Sequence, residues 1–275
     1  MLKSRLVREH DAQLYFELMA YLIRQFGAPL RPSVPKLLRK TPGLEAQAWE
    51  SSDTRSIFHW AQDYFGEIKS HCQMRGLGAD LFAQGADVNA EQILTNHRLD
   101  TLAAGRIPYP ESGALSVTYD PWKCATPGYY VATISLQIAQ FRLASFRPET
   151  ELSASRQQKM VLMATAYNRQ GFVLANLPEH VSDSLEDISQ KRAMSQTHIL
   201  NSLCFATCLA LRVRGQSAEQ IIATYGTRMN KNFRKKIPQA CRQIDARAEE
   251  LEVLQLLAEP KTRKNSDWTT LERSA

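Results

Sequence analysis

Two groups of residues in this 275-residue chain could do chemistry. The first is Ala166-Tyr167-Asn168, which ends the apolar run VLMATAYN and leaves a phenol and a carboxamide side by side at a helix end. Each can donate and accept hydrogen bonds. The same triplet also suits a core tyrosine followed by a helix-ending asparagine. The second group is a basic strip. Between residues 212 and 242, Arg212, Arg214, Arg228, Lys231, Arg234, Lys235, Lys236 and Arg242 face only Glu219, so this segment carries all of the formal net charge of +6. Positive charge concentrated in that way suits a polyanion, either nucleic acid or an acidic cell-wall polymer, or else a solvated helix face.

Other chemistries lack their signatures. His10, His59, His71, His97, His180 and His198 are scattered, with no His-Glu-x-x-His, no Gly-x-Ser-x-Gly and no glycine-rich phosphate loop. Cys204 and Cys208 share a helical face but have no second ligand pair, which reads as buried thiols rather than a zinc site. No metal and no cofactor are expected. Five cysteines, an odd number, argue for reduced thiols. The start MLKSRLVREHD puts charges where a secretory signal needs an apolar stretch, and LCFATCLALRV is too short to span a bilayer. The expectation is synthesis in the cytoplasm, with no membrane span.

The elements that would position these residues read mostly as helix. Apolar residues recur at three-and-four spacing from Asp11 to Phe26 and again through Ile57, Trp60, Ala61, Tyr64, Phe65 and Ile68, with Asp53 as an N-cap. Asn89 starts a helix through about Leu102, and Pro127 starts one over GYYVATISLQIAQFRLASF despite its β-branched residues. Ser153 caps the helix that reaches Tyr167 and Asn168, with Gly171 placed to stop it. Further helices follow at about 195–214, at 218–225 behind the capping box SAEQ, and from Pro238 to about Ala258. Only ALSVTY, within residues 113–119, alternates like a strand. These elements predict a mostly α fold: an N-terminal helix and proline-rich connector over 1–43, a single helical core domain over 44–258, and a polar tail over 259–275.

From the strand onward the order is Gly113-Ala114-Leu115-Ser116-Val117, a proline-rich turn, a long helix from Gly128, then Ala166-Tyr167-Asn168. That order resembles the lysozyme-like lytic transglycosylases and goose-type lysozymes, over about residues 113–177. The resemblance implies a lysozyme-like fold and a peptidoglycan glycan strand as partner. It also implies one glutamate as general acid then base, its pKa raised by an apolar shelter. Glu50, preceded by Trp49 and followed by Ser51, matches the family's glutamate, with Glu67 and Glu111 as alternatives. Tyr167, Asn168 and Ser116 would then contact the sugar. Glu50 stands farther from Gly113 than the family's spacing, and Leu115-Ser116 replaces its Met-Gln. Without a signal, such an enzyme would reach the wall through phage lysis or a secretion system.

The second reading is a helical DNA- or RNA-binding accessory protein. RGQSAEQIIATYGTRMNKNFRKKIPQA looks like the helix-turn-helix of site-specific recombinases and small regulators: a capped helix, a turn at Gly226, and a basic second helix. Arg228, Asn230, Lys231, Arg234, Lys235 and Lys236 would reach bases or phosphates. Ile222, Thr227 and Asn232 depart from the small or apolar residues that normally pack such a pair.

Overall fold

A helix that is apolar on every side must be surrounded, and two helices among the described residues meet that condition. In the structure, a computed structural model describing residues 5–29, 54–72, 79–83, 115–119, 127–143, 153–189 and 191–259, both lie inside. The elements are α1 (Glu9–Phe26), α2 (Thr54–His71), β1 (Ala79–Ala83), β2 (Leu115–Tyr119), α3 (Pro127–Leu143), α4 (Ala154–Tyr167), α5 (Gly171–Ala175), α6 (Pro178–Ser189), α7 (Gln196–Val213), α8 (Ala218–Tyr225), a 3-10 turn (Gly226–Arg228), α9 (Lys231–Asp245) and α10 (Ala248–Ala258). The described residues are mostly helical and form one helical domain. The backbones of β1 and β2 pair in parallel, Ala79 opposite Leu115 through Ala83 opposite Tyr119.

The innermost helix is α7. Ile199, Leu203, Phe205, Ala206, Cys208, Leu209 and Leu211 point in every direction around its axis, and all are buried. Against it pack α4, α5, α6, α9 and α10. The other interior helix, α3, buries Tyr130, Val131, Ala132, Ile134, Leu136 and Ile138 against α2, α4 and α6. Each fully buried aliphatic or aromatic side chain contributes roughly 1.5–3 kcal/mol. That term holds α3 helical in spite of its β-branched content, which costs only tenths of a kcal/mol per residue, up to ~0.7. Helices at the periphery bury a single stripe instead: Leu14, Leu18 and Leu22 with Tyr15 and Met19 on α1, and Phe233, Ile237, Ala240, Cys241 and Ile244 on α9.

Local signals set several ends. The Ser153 hydroxyl accepts from Arg156 N at the start of α4. Both arms of the Ser217–Gln220 capping box are formed at α8, with Ser217 N donating to Gln220 Oε1 at 2.8 Å. Other boundaries differ from the sequence reading. Gly171 does not stop α4. The chain turns at Arg169, whose φ of 73° puts a non-glycine residue in the left-handed region, at a cost of roughly 1–2 kcal/mol. Gly171 opens α5, where its lack of a Cβ admits the Thr207 side chain of α7. Pro238 lies inside α9 on its solvent side, and the expected helix from Pro238 to Ala258 is two helices. They part at Arg247, whose guanidinium turns back to Glu250 at 2.7 Å and lies 4.8 Å from the Phe16 ring.

The helix expected over residues 89–102, the connector over 30–43, the cap at Asp53 and the tail beyond Glu259 lie outside the described residues. No helix among the described residues is long and apolar enough to cross a membrane.

The α5–α7 approach gives a first test. In Gly171→Ala the new methyl would overlap Thr207 Oγ1, and Thr207 Cβ and Cγ2 already stand only 3.2 and 3.3 Å from its position, so rotating that side chain gives little relief. The substitution is expected to destabilise the protein by about 1–3 kcal/mol in urea unfolding, despite alanine's higher helix propensity.

Candidate nucleic-acid interface

The two groups of residues with chemical potential occupy opposite environments. Tyr167 ends α4 facing inward, only 2% exposed, and its hydroxyl donates to the Gly27 carbonyl at 2.5 Å. That carbonyl lies just past the end of α1, so the bond ties the ends of α1 and α4 together. The buried Arg142 guanidinium of α3 sits 5.5 Å from the Tyr167 ring and 4.5 Å from the Phe26 ring, and it donates to the Cys72 carbonyl at 2.9 Å. Asn168 is fully buried. Its backbone carbonyl accepts from Cys72 Sγ at 3.7 Å, while its amide nitrogen and oxygen have no partner among the described residues. Tyr167 and Asn168 are therefore interior groups at a four-helix junction.

Burial accounts for the electrostatics of this junction. Desolvation, only partly offset by the Arg142 cation, pushes the Tyr167 phenol up to about 12. Burial also pushes the Cys72 thiol up to about 11 and lowers the Arg142 guanidinium from its usual value. Arg142 touches no carboxylate among the described residues. It is held by a carbonyl and two ring faces instead, the apolar form of cation stabilisation.

The other proposed sugar contacts stand apart. Ser116 lies on β2, with its backbone opposite Asp80. Glu67 is half-buried on α2, whose Tyr64 and Phe65 belong to the core rather than to an open aromatic platform. Glu50 and Glu111 lie outside the described residues.

The basic strip is divided by the fold. Arg212 and Arg214 are used internally: Arg212 pairs with Asp245 at 2.5 Å, and Arg214 donates to the Pro29 carbonyl at 2.7 Å. The remainder gathers on α9. At 100° per residue, Lys231, Lys235 and Arg242 share one face with Pro238, and that face is opposite the Phe233–Ile237–Ala240–Ile244 stripe. All three are exposed, as is Arg234 on the flank, while Lys236 is half-buried. None of the five pairs with a carboxylate among the described residues. The apolar stripe, held against α7, thus fixes which way the charges point.

At the start of α9 the Asn230 side-chain oxygen caps the helix, accepting from Asn232 N at 2.8 Å, so that oxygen is committed and its amide nitrogen is not. The backbone of Arg228 closes the 3-10 turn. The expected glycine turn takes another form: Gly226 has an ordinary helical φ of −59°, and the reversal is made by the 3-10 turn with Met229 and Asn230. The order α8, turn, α9 is that of a helix-turn-helix, with α9 resting on α7 and α8.

Among the described residues no group of three His, Cys, Asp or Glu side chains could hold a metal ion. The chain matches no family model, no curated protein and no solved structure.

The junction makes two measurable predictions. Tyr167→Phe removes the bond to Gly27 and is expected to cost about 0.5–1.5 kcal/mol of stability, read as a lower urea midpoint with unchanged slope. The phenol's raised pKa favours the folded state fully below its unfolded value of 10.0, and that contribution is lost as pH rises towards about 12. Stability of the wild type should accordingly fall more steeply than that of Tyr167→Phe between those two pH values.

Proposed function

We propose that this protein binds the phosphate backbone of a nucleic acid along the exposed face of α9. The observation that carries the reading is the alignment of Lys231, Lys235 and Arg242, with Arg234 beside them, on the side of α9 opposite its buried stripe. A regular row of cations one or two helical turns apart can neutralise successive phosphates and release their counterions, which is the main source of sequence-independent affinity. Lys236 lies half-buried at the edge of the apolar stripe rather than on the row, and Asn230, with its amide nitrogen uncommitted, sits at the helix start where base edges or phosphates are commonly met.

This reading takes precedence over glycan cleavage for a steric reason. Tyr167 and Asn168 would have to leave the interior to meet a sugar, breaking the bond to Gly27, whereas the α9 cations already face solvent. A second polyanion, an acidic wall polymer, would engage the same face, and competition separates the two.

The test is retention of duplex DNA and of RNA on filters across a salt series. Wild type is expected to bind with affinity falling linearly in log salt. Lys231→Gln, Arg234→Gln, Lys235→Gln and Arg242→Gln combined should flatten that slope by about 3–4, at roughly 0.9 per lost phosphate contact. Helix content by circular dichroism should stay unchanged, since all four side chains are exposed. Salt-independent retention, or equal retention by the quadruple variant, would remove the proposal.

A further inference from the structure

Helix α10 holds two large apolar side chains out of the core. Leu251 and Leu254 are buried, and Gln255 Nε2 donates to the Arg212 carbonyl of α7 at 2.9 Å, which fixes how the helix is turned. The opposite side carries Val253, 53% exposed, and Leu256, 61% exposed, more than any other large apolar residue among those described. Glu249 and Glu252 lie on the same stripe, with Glu259 just past its end, and all three are exposed. None of the three pairs with a cation among the described residues, whereas Glu250, off the stripe, is held by Arg247 at 2.7 Å.

The outward face of α9 is the complement of this stripe. Lys231, Arg234, Lys235 and Pro238 follow one another at the same intervals as Glu249, Glu252, Val253 and Leu256, and Arg242 and Glu259 extend the two rows. Laid side by side in the same direction, two such helices bring carboxylates to the level of cations and Leu256 to the level of Pro238. Within one molecule no ion pair joins the two rows among the described residues. Each row is therefore open to a second copy.

We propose that the protein associates with itself, the Val253–Leu256 stripe of α10 docking on the α9 cations of a second copy. Covering Val253 and Leu256 supplies the hold, and charge selects the face, since α9 repels α9 and α10 repels α10. Exposed ion pairs add little each, so the contact is weak and salt-sensitive. A second copy covers the same α9 face as a phosphate backbone, so self-association and nucleic-acid binding exclude each other. That consequence rests on the function proposed above; the association itself does not.

Sedimentation equilibrium of the full chain, without nucleic acid, supplies the test. Wild type is expected to self-associate at low salt, and going from about 50 to about 500 mM salt should weaken the association about tenfold or more through screening. Lys231→Gln, Arg234→Gln, Lys235→Gln and Arg242→Gln combined should be monomeric. So should Glu249→Gln, Glu252→Gln, Val253→Gln and Leu256→Gln combined, with circular dichroism confirming helix content. The contact joins two unlike surfaces, so an equimolar mixture of the two variants should form a heterodimer from the intact α10 stripe of one and the intact α9 face of the other. A monomeric wild type overturns the proposal, as does either variant associating as strongly as wild type or a mixture no more associated than its components. Added duplex should dissociate the wild-type assembly, and duplex that binds without doing so overturns the exclusion. If wild type retains no duplex at all, the proposed function fails while the sedimentation result stands.

Discussion

Everything in this fold is arranged around the need to cover α7. Its apolar residues point outward on all sides, so α4, α5, α6, α9 and α10 must each give it an apolar stripe. A helix that gives one face to such a partner has its opposite face fixed by geometry. For α9 this means that Phe233, Ile237 and Ile244 go in and Lys231, Lys235 and Arg242 go out. The cationic face is thus a consequence of the core, and it needs no ion pair to hold it in place.

The segment before α1 is joined to that arrangement. Leu6 and Val7 are buried, and their amides donate to Gln243 Oε1 of α9 at 3.0 and 3.2 Å, while Gln243 Nε2 returns a bond to the Val7 carbonyl at 2.8 Å. With the bond from Asn201 to Leu6, a short extended segment is held between α7 and α9. Those bonds join the chain before α1 to the last turn of the basic helix.

The junction around Tyr167 shows how a polar cluster can serve packing. A phenol bonded to a carbonyl, a guanidinium between two rings and a thiol bonded to a backbone oxygen satisfy much of their polarity without solvent. Such groups are costly to bury singly and specific in geometry when paired. They set the angle at which α4 meets the end of α1, a task that an all-apolar contact would perform less uniquely.

Much was legible in the residues alone. Apolar spacing gave α1, α7 and α8, serine caps gave the starts of α4 and α8, and charge counting singled out the segment that contains α9. These are local properties, set by side-chain period and by hydrogen bonds that span three or four residues. Tertiary contacts decided the rest. Gly171 reads as a helix stop until Thr207 is seen to occupy the space of its missing side chain, and Tyr167 reads as a sugar contact or as a core tyrosine until Gly27 is found beside it, 140 residues away in sequence. Arg212 and Arg214 count towards a basic strip until Asp245 and the Pro29 carbonyl claim them. Sequence spacing determines which faces a helix has, but which face is buried and which charge is already paired depends on neighbours that only the folded chain brings together.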